Sequence, residues 1–477
     1  MTNPNILSQR YVTEEMNDIF SERGKAIAER ELWIAVMKSQ RELGVNIPAE
    51  DIEKFERAKE NVDLEEIERI EKVTKHDIKA KIESFVKTAG AGQYLHKGMT
   101  SRDLSDNVEQ MQLKNASELI FGRFIATLRH FADRAKDYGD ITLTARTHHQ
   151  AAKPTLLGRR FSMWAEELSN PLVEFQEFTE SYPLRGIKGP IGTQDDMLDI
   201  LGSREKVEVL EKRIADHLGF RKTLDSPGQV YFRSLDYALL SRLATLSAAC
   251  ENFGKGMRLM AGYELVTEGF KEGQVGSSAM PHKMNTRSSE RICGFSELLK
   301  MYSDGASRLS GDQWEEGDVS CSVIRRVILP DSFYSADGLC ETTMTVLNEM
   351  GAYPAMIDKE LQRYLPFLAS TKFITAGTEK GLGREKAHEV IKEHAVAEVL
   401  RMRKEGSDEN HLAELLANDP VFAKAGVSQE EIERILDDKA SFIGNAKKQI
   451  DAVCNKIGWL FTNSYEELAK YEPKEIL

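Results

Sequence analysis

Apolar residues recur along this chain at three- and four-residue steps over long stretches, the spacing of one face of an α-helix. Between 104 and 138, Leu104, Val108, Met111, Leu119, Phe124, Leu128 and Phe131 keep that period. Thr100 followed by Asp103 has the wording of a capping box that opens this helix. A second run follows Pro154 and continues to about 181, with Leu157, Phe161, Trp164, Leu168, Leu172 and Phe175 on one side. Proline is well placed near a helix start, where its missing N–H has no partner to lose. The third run, 234 to about 267, differs in kind. Segments 237–240, 243–246 and 248–250 leave little polar face, which predicts a helix covered on all sides. A rod of about 30 residues is roughly 45 Å long. One chain hardly encloses such a rod, so copies of the chain are expected to complete its cover. Runs near 288–309 and 330–350 bring the central block to five helices. Strand signals are few. Ahead of 104 lies a smaller helical region rich in Glu and Lys, and beyond 353 come shorter, charge-laced helices. The expectation is an all-α protein of three helical domains, 1–103, 104–353 and 354–477, with a central five-helix bundle completed by oligomerisation.

Composition narrows the partners. Charged residues make up 30% and hydrophobic residues 41% of the 477, an ordinary globular balance. A net charge of −13 argues against nucleic acid, whose phosphates need a basic surface. No apolar run is long enough to cross a bilayer, and residues 1–10 lack a charged segment leading into an apolar one. The 5 cysteines (Cys250, Cys293, Cys321, Cys340, Cys454) are scattered without a C-x-x-C pair, which fits reduced thiols. A cytoplasmic protein with no membrane and no metal follows as the expectation. His388 and His394 do not share a helix face and read as surface residues.

Polar clusters fall at the ends of the long helices, where core packing explains them least. Lys75-His76-Asp77 is the first, and alone it reads as solvated. Thr100-Ser101 stands at a helix start, whose N–H groups and dipole favour an anion, although a simple cap explains it as well. Arg146-Thr147-His148-His149-Gln150 is the third. Adjacent histidines point in different directions, so at most one serves a given pocket, as a structural residue or as a proton donor near neutral pH. The glycine-spaced approach Gly269-Phe-Lys-Glu-Gly273-Gln-Val-Gly276 then leads into Ser277, Ser278, Lys283 and Asn285. It reads as a mobile catalytic lid in which a serine alkoxide is stabilised by Lys283 and backbone N–H groups.

That last segment, Gly276-Ser-Ser-Ala-Met-Pro-His-Lys-Met-Asn-Thr-Arg-Ser-Ser-Glu-Arg291, resembles the G-S-S-x-M-P-x-K-x-N-P signature of the fumarase/aspartase lyase superfamily. Thr286 stands where the signature has its final proline. Within that superfamily the chain is most similar to the adenylosuccinate lyases. Their N-terminal Arg-Tyr is matched by Arg10-Tyr11, their His-Asp by His76-Asp77 and their Thr-Ser by Thr100-Ser101. Their Thr-His-x-Gln is matched by Thr147-His148-His149-Gln150, and a Gly-Gln by Gly228-Gln229.

The resemblance implies a lyase that eliminates fumarate from a succinylated purine nucleotide, with no cofactor, in a homotetramer with shared active sites. It makes Ser277 the base and His148 the proton donor. Lys283, Asn285 and the Thr100-Ser101 helix start stabilise the developing charge, and His76 and Gln229 position the substrate, with Asp77 and Thr147 beside their motif partners. It brings Arg10, Tyr11, Ser322 and Arg326 to the phosphate, and Lys75 where some relatives have Arg. Arg291 anchors a carboxylate or phosphate, or pairs near Glu290. An arginine of the family's W-x-E-R is replaced here by Gly317. The rival readings are argininosuccinate lyase or another fumarate-releasing lyase, and a non-catalytic helical scaffold.

Overall fold

The structure, a computed structural model, describes residues 5–269, 280–474 and 476. Five long helices form the body: α1 (Ser101–Asp137), α2 (Leu157–Ser181), α3 (Ser234–Gly262), α4 (Arg287–Leu309) and α5 (Ser322–Glu349). The protein is all-α, with two small two-stranded sheets as its only pairing of strands among the described residues. Helices α1, α3 and α5 run in one direction and α2 and α4 in the other. At the starts of the parallel three, Arg325 of α5 bonds Asp236 of α3 at 2.7 Å and Glu109 of α1 at 2.8 Å. At their far ends the Tyr138 hydroxyl after α1 donates to the Met350 carbonyl after α5 at 3.3 Å. Between these ends the helical period aims aromatic rings inward, and Phe131, Phe161, Trp164 and Phe253 meet edge to face at 5.3–5.4 Å. Each such ring removed from water contributes about 1.5–3 kcal/mol.

Three predicted boundaries move. Residues after Pro154 do not begin a helix. Strand β1 (Thr142–Thr147) pairs antiparallel with β2 (Gln150–Leu156), Pro154 lies opposite Thr144, and α2 starts only at Leu157. Leu143 is buried in β1 and Pro154 and Leu156 alternate with Thr155 in β2, a pattern too short to register beside the helical runs. A two-stranded ribbon tolerates the proline because one side of each strand has no ladder to complete. Helix α5 starts at Ser322, ahead of Pro330, which lies inside it. Helix α3 stops at Gly262, and Val266–Thr267 pairs with Gly351–Ala352.

Helix α3 does not itself require partner subunits to cover its apolar face. Leu240, Leu243, Leu246, Cys250, Phe253 and Met257 are all fully buried within one chain, against α2, α4 and α5. Tyr237, Thr245, Asn252, Lys255 and Leu259 form its outward stripe. Alanines made the pattern look apolar all round, yet they need little cover.

A second core gathers Trp33, Phe55 and Phe85 of the N-terminal helices with Leu104 and Val108 of α1 and with Leu184, Ile187, Leu210 and Phe220. A third lies among C-terminal helices around Phe373, Val390, Phe422 and Ile432, whereas Ala446, Ile450, Cys454 and Ile457 return to the bundle core. Residues on both sides of 103 and of 353 therefore share cores, and a division there stays a proposal about folding units. Among the described residues no helix is long and apolar enough to cross a membrane.

Candidate active site

The β1–β2 hairpin closes at Thr147 and Gln150, with His148 and His149 as its two turn residues. Both take left-handed backbone, φ 51° and 61°. Two positive φ values at a two-residue hairpin turn favour Asn and Gly, and each residue with a Cβ costs about 1–2 kcal/mol there. The surroundings must therefore hold the turn. Arg146 does so from β1. One guanidinium nitrogen donates to the His149 carbonyl at 3.3 Å and another to the Glu360 carboxylate on α6 (Pro354–Leu368). The guanidinium also lies over the Tyr263 ring at 4.2 Å. Burial alone would lower the Arg146 pKa, and the Glu360 carboxylate offsets this, so the group sits above its ordinary value. His149 is tied to the Tyr263 hydroxyl at 3.3 Å, and both histidines are exposed.

Tyr263 caps the C-terminal end of α3, and the signature segment lies against the same end. A cleft of about 470 Å³ is lined there by Ala261, Glu264, Lys283, Asn285, Thr286 and Tyr353. The start of α4 bounds it, and its cap comes from outside the helix. The Glu268 carboxylate accepts from the Ser288 and Ser289 N–H groups and the Ser289 hydroxyl, each at 2.9 Å. A carboxylate at a helix N-terminus satisfies orphan donors and suits the dipole. Ser277 and the rest of 270–279, the expected lid, lie outside the described residues. One turn into α4, Arg291 stacks over Tyr11 at 5.2 Å, and Tyr11 meets Phe295 edge-on at 5.4 Å. Arg291 thus has an aromatic neighbour in the segment that carries Arg10.

The remaining expected residues lie toward the opposite end of the bundle. His76 is exposed and caps the helix Asp77–Ala89, its Nδ1 accepting from the Lys79 N–H at 3.3 Å, and Lys75 before it has φ 54°. Thr100 and Ser101 start α1. The buried Asp103 carboxylate accepts from the Thr100 N–H at 2.8 Å, from Arg185 at 2.5 Å and from the Lys188 N–H at 2.8 Å, which fixes that start rigidly. Beside it the Trp33 indole donates to His96 Nδ1 at 3.2 Å, and burial holds His96 below its ordinary pKa. The Gln229 N–H donates to the Glu316 carbonyl at 2.7 Å. Gly317 has φ 141°, and a Cβ there would sit 2.9 Å from Val230 Cγ2, so the position that holds arginine in the motif has no room for a side chain. Ser322 opens α5, and Arg326, a turn later, is exposed while Arg325 is consumed by its buried carboxylates.

One chain does not gather these residues. Helix α1 has 37 residues, so its ends stand about 55 Å apart. Thr147, His148, Lys283 and Asn285 are at one end; Lys75, His76, Asp77, Thr100, Ser101, Gln229, Ser322 and Arg326 are toward the other. The Tyr11 carbonyl lies against Gly338, about 18 Å along α5 from Arg326, so Arg10-Tyr11 and Ser322-Arg326 are also separate within the chain. Sequence reasoning missed Arg185, Glu268 and Glu360, because a lone charged residue carries no mark of a partner far along the chain. His394 proves to be bonded to Asp419 at 2.9 Å rather than simply solvated. Among the described residues no cluster of potential ligands forms a metal site.

The family described as Lyase matches residues 9–297, and the one described as Adenylosuccinate lyase C-terminus matches 366–453. The chain is 32% identical over 459 residues to the adenylosuccinate lyase of Saccharomyces cerevisiae, covering 94% of this chain and 93% of that one. It is 32% identical over 458 residues to that of Schizosaccharomyces pombe, with 94% and 93% covered. The 3-carboxy-cis,cis-muconate lactonizing enzyme of Pseudomonas putida has the same fold, at a TM-score of 0.80 and 21% identity over 96% of this chain and 99% of that one.

Proposed function

The chain belongs to the adenylosuccinate lyase family, and from that premise we propose how its residues carry out the elimination. It cleaves adenylosuccinate to AMP and fumarate, and the succinylated imidazole-carboxamide ribotide of purine synthesis to its carboxamide and fumarate. Ser277 removes the proton beside a succinyl carboxylate, and the electron pair is held by that carboxylate. Lys283, Asn285 and the Thr100-Ser101 helix start stabilise the negative charge, commonly the largest catalytic term. The C–N bond then breaks, the C=C bond of fumarate forms, and His148 gives its proton to the departing nitrogen. His76, Asp77, Thr147 and Gln229 orient the substrate. Arg10, Tyr11, Lys75, Arg291, Ser322 and Arg326 take its anionic groups. The electron sink is the substrate's own carboxylate, so the chemistry calls for no cofactor.

The observation that carries this reading is the meeting of Lys283 and Asn285, in one cleft, with the bundle end that bears the His148 turn. An ammonium and an amide suit a developing carboxylate charge, and the exposed His148 imidazole suits the amine. Ser322 and Arg326 favour a phosphorylated substrate over argininosuccinate, since they share the first turns of a long helix whose N-terminus attracts anions. The separation of the two residue groups by the length of α1 supports a homo-oligomer, taken as a tetramer, in which one end of one chain meets the other end of another. A cytoplasmic enzyme fits the unpaired thiols. Mixing the protein with adenylosuccinate and following ultraviolet absorbance tests the reading. AMP formation is the expected result; turnover of argininosuccinate alone would replace it with the rival.

A further inference from the structure

We infer that Arg146, gripped by Glu360, is the positioning residue that holds the His148 turn in its working conformation. This rests on the reading of His148 as proton donor. The hairpin stem is secured elsewhere: Lys153 reaches the Leu368 carbonyl at 3.0 Å and Thr371 Oγ1 at 2.6 Å, and Arg160 reaches the Thr144 carbonyl at 3.2 Å. Among the described residues the turn itself has two side-chain ties, Tyr263 on the His149 ring and Arg146 on the His149 carbonyl. A register irregularity between Ala145 and Arg146 redirects the strand just where this side chain leaves it, as bulges do beside active sites. The Arg146 and Glu360 side chains are only 14% and 11% exposed, so solvent screens their pairing little. The second Glu360 oxygen is buried without a hydrogen-bond partner. The direct hydrogen bond of Glu360 goes to the Arg146 guanidinium, and its charge also reaches Arg160. Two adjacent histidines with positive φ would relax toward ordinary backbone without a fixed donor beneath them. A lysine cannot replace Arg146, because one ammonium on a flexible stem does not span a carboxylate, a carbonyl and a ring face together.

The test uses the full-length oligomer and two readouts. Steady-state kinetics on adenylosuccinate should give Arg146→Ala and Arg146→Lys a kcat lower by about 30–100-fold with KM changed less than about threefold, since small misplacements cost that much. Glu360→Gln, which keeps an acceptor oxygen, should lose about three- to tenfold. Hydrogen–deuterium exchange across 142–156 should accelerate at the turn in all three, whether or not the substrate assignment is right. Equal kcat and equal exchange in Arg146→Ala and wild type would overturn the inference. If Arg146→Ala fails to assemble, Glu360→Gln decides by the same two measurements. A wild type inactive on adenylosuccinate, with exchange still accelerated in the variants, would sink the functional reading and leave the clamp standing.

Discussion

At Gly317 the chain departs from its family's motif, and the backbone says why. With φ at 141° and Val230 packed where a Cβ would go, an L side chain there is strained and displaced at once. Its neighbour Glu316 holds the Gln229 N–H, and a Cβ on Gly228 would come within 2.1 Å of the Glu316 carbonyl. Two glycines thus let the segments dock. Gly317→Arg, which would restore the family's residue, is predicted to lower stability by about 1–3 kcal/mol and to raise KM. Urea denaturation and steady-state kinetics check this; a lower KM at unchanged stability would mean the pocket wants that arginine. His148→Gln should reduce kcat by a factor of about 10²–10⁴, the range for loss of a general acid, with no change in melting temperature. Candidate residues such as Lys283 and His148 could be named from the sequence because they sit in motifs of fixed spacing, and their roles remain proposals. Arg326 was named from its motif position alone, and the physical difference shows only in the fold, where Asp236 and Glu109 hold the buried Arg325 while Arg326 is exposed.

Among elements, long periodic helices were legible and short pairings were not. Six or seven apolar positions at helical spacing outweigh local noise, whereas β1 and β2 offer two buried leucines. The C-terminal segment was equally silent, yet it straps the bundle. The Tyr471 hydroxyl and the Lys474 N–H donate to the two Glu341 oxygens at 2.8 and 2.6 Å, and the Arg123 guanidinium lies over the Tyr471 ring at 3.5 Å. Burial, with the Asp337 charge beside it, pushes the Glu341 carboxyl up to about 7 against the pull of Lys474, Tyr471 and Arg123. The folded chain therefore keeps a proton that the unfolded chain releases near pH 4.5. The contribution of this group to stability is full below 4.5 and is lost as pH rises to 7, by up to about 3 kcal/mol. Urea midpoints should fall over that window, and Glu341→Gln should flatten the fall. Identical pH profiles for variant and wild type would show that the strap holds an ionised carboxylate instead.

At the scale of the whole molecule, the expectation of copies rested on the family resemblance and on α3, and the buried face of α3 proved to be covered by its own chain. The case now stands on α1, whose length keeps the two residue groups apart. A second support is the apolar surface at the start of α5, where Trp314, Val319 and Val323 are 72%, 59% and 75% exposed and Val327 lies beside them. Such surface is available for a partner copy to cover. Val323→Asp should shift the mass in light scattering toward smaller species and remove activity in parallel; full activity in a monomer would refute shared sites. The decisive measurement mixes two inactive proteins, His76→Ala and His148→Gln, unfolds them partially and lets the subunits reassort. Sites drawing His76 from one chain and His148 from another are then intact in about a quarter of cases by random assortment. Recovery of adenylosuccinate cleavage near that fraction is the predicted result. Mixed particles of full size with no recovered activity would contradict the account.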